Sequence, residues 1–317
     1  MAGLVPAIHV LIICLRRLDV DARHKAGHDG EGAMGEPVFL DYDQGALDRQ
    51  YNQRAWVANA DELIRRYADA SDAVRARLGE PESIPYGVAP TETLDLYRAV
   101  RAPAPLLVFL HGGAWQRLSK RESAFAAENF VRAGAHFAAV GFAAVPAAAL
   151  ADLVDQVRRA VAFLYRNAGR LDIDRERIHL AGHSSGGHLG ACVMMTDWAA
   201  LGLSQPIKGG LCVSGIYDLR PVRLSARNAY LRLDAESEHA FSPQRHLDRL
   251  GCPLVIAAAE FDTAEFRRQA RDFAAAARAG AAVRHIEGRG YNHFDFIETL
   301  ADPQGVLGKL MLEQMDL

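Results

Sequence analysis

The stretch "RIHLAGHSSGGHLGACVMM", residues 177–195, decides how this chain is read. It begins with alternating and apolar residues, passes through a knot of glycine, histidine and serine, and ends in an apolar segment of helical character. Within it, Gly182-His183-Ser184-Ser185-Gly186 fits G-x-S-x-G. In that pattern a sharp strand-to-helix turn lifts a serine oxygen above a sheet, and the glycines keep side chains out of the bend. Chance supplies roughly 0.08 such matches in a chain of this glycine and serine content. A glycine-rich joint without chemistry is the competing reading of the motif taken alone.

Outward from this stretch the chain repeats one form. "APLLVFLHGG", "HFAAVGF", "GGLCVSG" and "CPLVIAAAE" are apolar runs suited to strands covered on both faces. Between them lie helical segments. The clearest, "LADLVDQVRRAVAFLYRNA", sets Leu150, Leu153, Val154, Val157, Val161 and Leu164 on one face, and "FRRQARDFAAAARAG" does the same with Phe266, Ala270, Phe273 and Ala277. Such βα alternation predicts a mostly parallel, doubly wound sheet with right-handed crossovers. Before it, "ESIPYG" and "TETLDLYRAV" predict an antiparallel strand pair. "DQGALDRQYNQRAW" and "ADELIRRYADASDAVRARL" predict two helices packed outside the sheet. Residues 218–248 interrupt the rhythm and predict a small helical cap over the strand ends. Residues 1–33 lack apolar periodicity and read as a tail or a misassigned start, with Met34 opening the patterned chain.

Composition limits the function classes. Of 317 residues half are hydrophobic, 24% are charged, and the net charge is −3, which describes a soluble globular protein. No basic stripe points to nucleic acid, and no apolar run is long enough to span a bilayer. The cysteines, Cys14, Cys192, Cys212 and Cys252, form no CxxC pair, which predicts reduced thiols and a cytoplasmic protein. The spacing of His9, His24 and His28 matches no metal motif, and no metal or other cofactor is expected. The expected partner is a small-molecule substrate, and a homodimer is compatible with the sequence.

Ligands of a doubly wound sheet bind beyond the carboxyl ends of its strands, so the residues after each apolar run carry the chemistry. Ser184 holds that position as nucleophile. "HGGAW", residues 111–115, follows another run, and its glycines let backbone amides approach a substrate oxygen. Gly112, Gly113 and Ser185 are the candidate oxyanion donors. A serine hydroxyl needs a base and an orienting acid, which in this fold follow in the order nucleophile, acid, base. Asp262, after "PLVIAAA", and His293, in "GRGYNHFDF", fill those roles, with Glu260 and Asp218 as rival acids. His183 and His188 sit too close to Ser184 in sequence to reach its oxygen and read as packing or hydrogen-bonding groups. His111 reads as a brace of the oxyanion loop. Trp115, Tyr217 and Tyr291 are the candidate substrate-binding aromatics, with Asn228, Tyr230 and Arg232 as further cap residues.

Together "HGGAWQ", "GHSSGGHL", "SGIYDL", "AEFDTAEFRRQ", "GYNHFDFIETL" and the early "YNQRAW" resemble the α/β-hydrolase branch that contains arylformamidase, or kynurenine formamidase. The first two motifs are shared with hormone-sensitive-lipase-type esterases and specify fold and mechanism; the others narrow the substrate. The resemblance covers the chain from about residue 43 onward. It implies a metal-independent serine hydrolase with Ser184 as nucleophile, Asp262 as acid and His293 as base, acting on the formamide of an N-formyl arylamine such as N-formylkynurenine. Ala114 departs from the family's loop, where tyrosine often precedes the tryptophan. The alternatives are a broad carboxylesterase for short acyl esters and a noncatalytic ligand-binding relative. An intact nucleophile, acid and base argue against the last.

Overall fold

The computed structural model describes residues 35–317, so the tail expected over residues 1–33 and the start at Met34 lie outside the described residues. Two compact units divide between Gln44 and Gly45. Of the first, only residues 35–44 are described, with a β-bridge between Phe39 and Tyr42. The second, Gly45–Leu317, carries the whole sheet.

The apolar runs form the strands. The sheet has eight, β1 (Glu82–Pro85), β2 (Thr93–Tyr97), β3 (Ala104–Leu110), β4 (His136–Val140), β5 (Ile173–His183), β6 (Gly209–Val213), β7 (Leu254–Ala259) and β8 (Val283–Gly288). Their order is β1-β2-β4-β3-β5-β6-β7-β8. The predicted early pair is antiparallel, and β2 runs antiparallel to β4, while β4 through β8 are parallel. Every residue of β3, β4, β6 and β7 is buried, which explains why these strands show continuous rather than alternating hydrophobicity.

The helices cover both faces. Leu150–Arg166 buries all six residues predicted for its apolar stripe, and Ala264–Ala277 buries all four of its own. Ala60–Leu78 seats Leu63, Tyr67 and Val74 in the interior. The helix expected over 43–56 stops early: it runs Gln44–Gln50 and gives way to a single 3-10 turn, Gln53–Ala55. Tertiary bonds explain the break. The Gln50 carbonyl accepts from Thr263 Oγ1, the Gln50 side chain accepts from the Glu265 amide, and Gln53 Nε2 donates to Thr263 Oγ1. The segment is therefore stapled to the loop that follows β7. The 218–248 region holds three short helices, Arg220–Leu224, Asn228–Leu231 and Ala235–Ala240; Glu238 on the third pairs with Arg223 on the first and with Arg245 in the 3-10 turn Pro243–Arg245. A C-terminal helix, Val306–Gln314, completes the layer with Leu307 and Met311 in the core.

Candidate active site

At the carboxyl end of β5, Ser184 takes φ 53° and ψ −119°, a left-handed conformation that costs a non-glycine residue of order 1–3 kcal/mol. The strain persists because the bend leaves no room to relax. A Cβ on Gly182 would lie 2.3 Å from the Gly186 carbonyl oxygen, and one on Gly186 would lie 2.2 Å from that of Leu110. Two glycines thus let β5 turn directly into the helix Ser185–Met194 against the end of β3.

Three parallel strands bring the predicted residues together. His293 Nε2 lies 3.0 Å from Ser184 Oγ, and His293 Nδ1 lies 2.6 Å from Asp262 Oδ1. The second oxygen of Asp262 accepts from Ser214 Oγ at 2.5 Å and from the Ala259 amide at 2.8 Å. Burial opposes ionisation of this carboxyl, but the charge and hydrogen bond of His293, with the bonds from Ser214 and Ala259, hold it below its ordinary range. Ser214, itself at φ 48°, was not singled out by the sequence; its position just past β6 was the available signal. The rival acids are engaged elsewhere. Glu260 accepts from the Gly290 amide, and Asp218 from the Arg220 amide and Arg245.

The neighbouring histidines brace this arrangement. His183 Nε2 donates to the His293 carbonyl, His111 Nδ1 to the Gly112 carbonyl, and His188 Nε2 to the Phe241 carbonyl while its Nδ1 accepts from Trp115. Burial depresses all three, His183 to about 3 and His111 and His188 to about 4, so they are neutral at neutral pH. None bonds to Ser184 Oγ.

Ser184 opens on a cleft of about 570 Å³, walled by residues 48–54, the loop after β3, the cap and Phe294. Gly113, Ala114 and Leu118 line it beside His183 and His293. From Gly113 to Trp115 the backbone turns left-handed, with φ 106°, 56° and 60°. Successive turns of this kind point amides into a concave anion-binding site. Gly112 is not among the residues that line the cleft, and a Cβ added there would lie 3.2 Å from Ser184 Cβ; Ala114 lines it. Ser185 begins the helix, where its amide has no intrahelical acceptor.

The three predicted substrate aromatics lie outside the cleft lining. Trp115 is buried and turned inward, its ring edge-on to His188. Tyr217 is buried and stacked on Phe273 at 4.2 Å. Tyr291 stacks on Phe296, and its carbonyl accepts from the Phe261 amide, which fastens the loops carrying Asp262 and His293 to each other. None of the three lines the cleft. Of the further cap residues, Tyr230 does, while Asn228 is bound to Leu233. The cleft residues Tyr51, Gln53, Tyr67, Arg227 and Phe294 were missed. The motifs "YNQRAW" and "GYNHFDFIETL" contain Tyr51, Gln53 and Phe294, but nothing in either marked them as cleft residues.

The BD-FAE family model matches residues 94–203, the span that holds the His111–Trp115 loop and Ser184. A kynurenine formamidase of Danio rerio is 36% identical over 283 residues, covering 85% of this chain and 95% of its own length. The chain belongs to the kynurenine formamidase family. A second member, from Salmo salar, is 33% identical over 87% of this chain and 98% of its own. Among solved structures, a candidate thioesterase from Silicibacter sp. TM1040 superposes with a TM-score of 0.73 at 27% identity, covering 82% of this chain and 97% of that one. The chain is an α/β-hydrolase-type hydrolase, and the esterase-like neighbours share its sheet. In this family member the stapled segment after the first helix and residues 225–230 both line the cleft onto which Ser184 opens. Among the described residues no helix is long and apolar enough to cross a membrane.

Proposed function

We propose that this enzyme hydrolyses the formamide bond of N-formylkynurenine, yielding kynurenine and formate. The observation that carries the reading is Ser184 Oγ, 3.0 Å from His293 Nε2 and open to the cleft, in a chain of the kynurenine formamidase family. Ser184 attacks the formyl carbon as His293 takes its proton, and Asp262 stabilises the imidazolium. Amides of the Gly113–Ala114 turn and Ser185 receive the oxyanion, each donor contributing about 3 kcal/mol to the transition state. The carbon–nitrogen bond breaks as His293 returns the proton to the departing aryl amine. Water, deprotonated by His293, then attacks the formyl ester, and His293 returns that proton to Ser184 Oγ as the ester bond breaks and formate leaves. Three buried cysteines, Cys192, Cys212 and Cys252, are free thiols, which supports a reducing compartment such as the cytoplasm.

The test compares kcat/KM for N-formyl and N-acetyl amides of one arylamine beside a short-chain ester series. The formyl amide should exceed the acetyl amide by more than the roughly 10 to 200-fold that one methyl group supplies. Ester turnover that rises with acyl length while the formyl amide stays intact would favour a carboxylesterase instead.

A further inference from the structure

One wall of the catalytic cleft contains a cation with no counter-ion among the described residues. The half-buried arginines of the cap and its neighbouring helix are paired, Arg223 and Arg245 with Glu238 and Arg268 with Glu265. Arg227, which lines the cleft, is the exception: among the described residues no carboxylate forms an ion pair with it. Its Nε and Nη2 donate to the Tyr51 carbonyl at 3.0 and 2.5 Å, and its Nη1 is sealed from solvent without a partner. The guanidinium carbon lies 5.6 Å from the centre of the Tyr51 ring and 5.8 Å from that of Trp115. Carbonyl and ring contacts orient a guanidinium but do not neutralise it, and a desolvated charge held this way is costly. Burial lowers the Arg227 pKa, and the charged or phenolic groups that act on it are Tyr230 and Tyr51. Tyr230 lines the same wall and feels both Arg227 and Arg117, an exposed arginine that also lines the cleft.

We infer that Arg227, with Tyr230 and Arg117 beside it, forms a subsite for a carboxylate on the leaving amine. The enzyme thereby selects acidic aryl formamides over neutral ones. The inference rests on the formamidase reading and adds to it the residues that recognise the leaving group's carboxylate. An anion arriving here supplies the charge that the fold leaves out, and a bond between two ionised groups is about twice as strong as a neutral one. Asp48, the carboxylate on the cleft wall, accepts from the Ala226 amide next to Arg227.

The test uses N-formylkynurenine and N-formylkynuramine, which differ only in the carboxylate. In the parent enzyme the ratio of kcat/KM should favour the acid by roughly 10 to 100-fold, and in Arg227→Met it should fall toward one. Because Arg227 also holds the Tyr51 carbonyl, Arg117→Gln at the exposed edge and inhibition of parent ester hydrolysis by kynurenine and kynuramine accompany it. Kynurenine should inhibit at roughly tenfold lower concentration. Efficient cleavage of both formamides at one rate, or equal inhibition by the two amines, overturns the subsite and leaves the formamidase reading standing. Failure to cleave either formamide overturns the reading itself.

Discussion

Asp262 and Glu260 stand two residues apart after the same strand, yet only one reaches the imidazole. Asp262 faces His293 Nδ1 with its other oxygen held by Ser214 and Ala259, while Glu260 caps the Gly290 amide. Asp262→Asn should therefore lower kcat by roughly 10³ to 10⁴-fold, through loss of the correct imidazole tautomer and of imidazolium stabilisation. Glu260→Gln should cost less than about tenfold. Ser214→Ala removes one bond to a buried carboxylate and should cost roughly 1.5–3 kcal/mol of stability, read as a fall in the urea midpoint. Equal losses of activity in the two acid variants would place the acid wrongly. At this scale the grouping of Ser184, Asp262 and His293 was legible in the sequence, because the first two follow apolar runs and His293 comes last, in a loop after the weakly apolar β8, in the chain order the fold requires. The aromatics were not. A place in a catalytic loop does not say which way a ring turns, and the left-handed backbone at Trp115 aims its indole at His188 instead of the cleft.

The bend between β5 and the helix Ser185–Met194 depends on backbone contact, since Gly186 lies against Leu110 with no room for a Cβ. Gly186→Ala forces two main chains apart at the junction of three elements. It should destabilise the fold by at least about 1–3 kcal/mol, measured by chemical denaturation, and lower activity because Ser184 moves with the turn. Parent-like stability would show that β3 and the helix separate freely there. Strands and long helices were legible because burial on both faces, or on one stripe, writes itself as continuous or 3.6-residue hydrophobicity. The segment 44–56 was not, because its helix ends through hydrogen bonds from Thr263 and Glu265, more than 200 residues away. Periodicity carries no record of such a bond, and so the stapled wall of the cleft was expected on the outside.

Across the whole molecule, buried histidines couple stability to pH. His183 titrates near 3 and His111 and His188 near 4, while unfolding returns each to about 6.5. Between those values the unfolded chain binds protons that the native one excludes, so stability falls as pH drops from about 6.5 toward 4, each group adding up to about 1.4 kcal/mol per pH unit. Burial lowers His136, His179 and His285 in the same direction. Glu298, raised to about 7 mainly by burial, acts oppositely by taking up a proton in the native state as pH falls from 7 to 4.5. The histidines outnumber it, and urea midpoints should decline from pH 7 to 5. A flat profile would contradict their neutrality. The central claim is that Ser184 is the nucleophile of a formamidase, and its most direct test is kynurenine release from N-formylkynurenine by the parent enzyme and by Ser184→Ala. The parent should turn over the substrate, and the variant, folded with an unchanged melting temperature, should be slower by at least about 10⁴-fold. Release by Ser184→Ala at the parent rate, or none by the parent, would contradict the account.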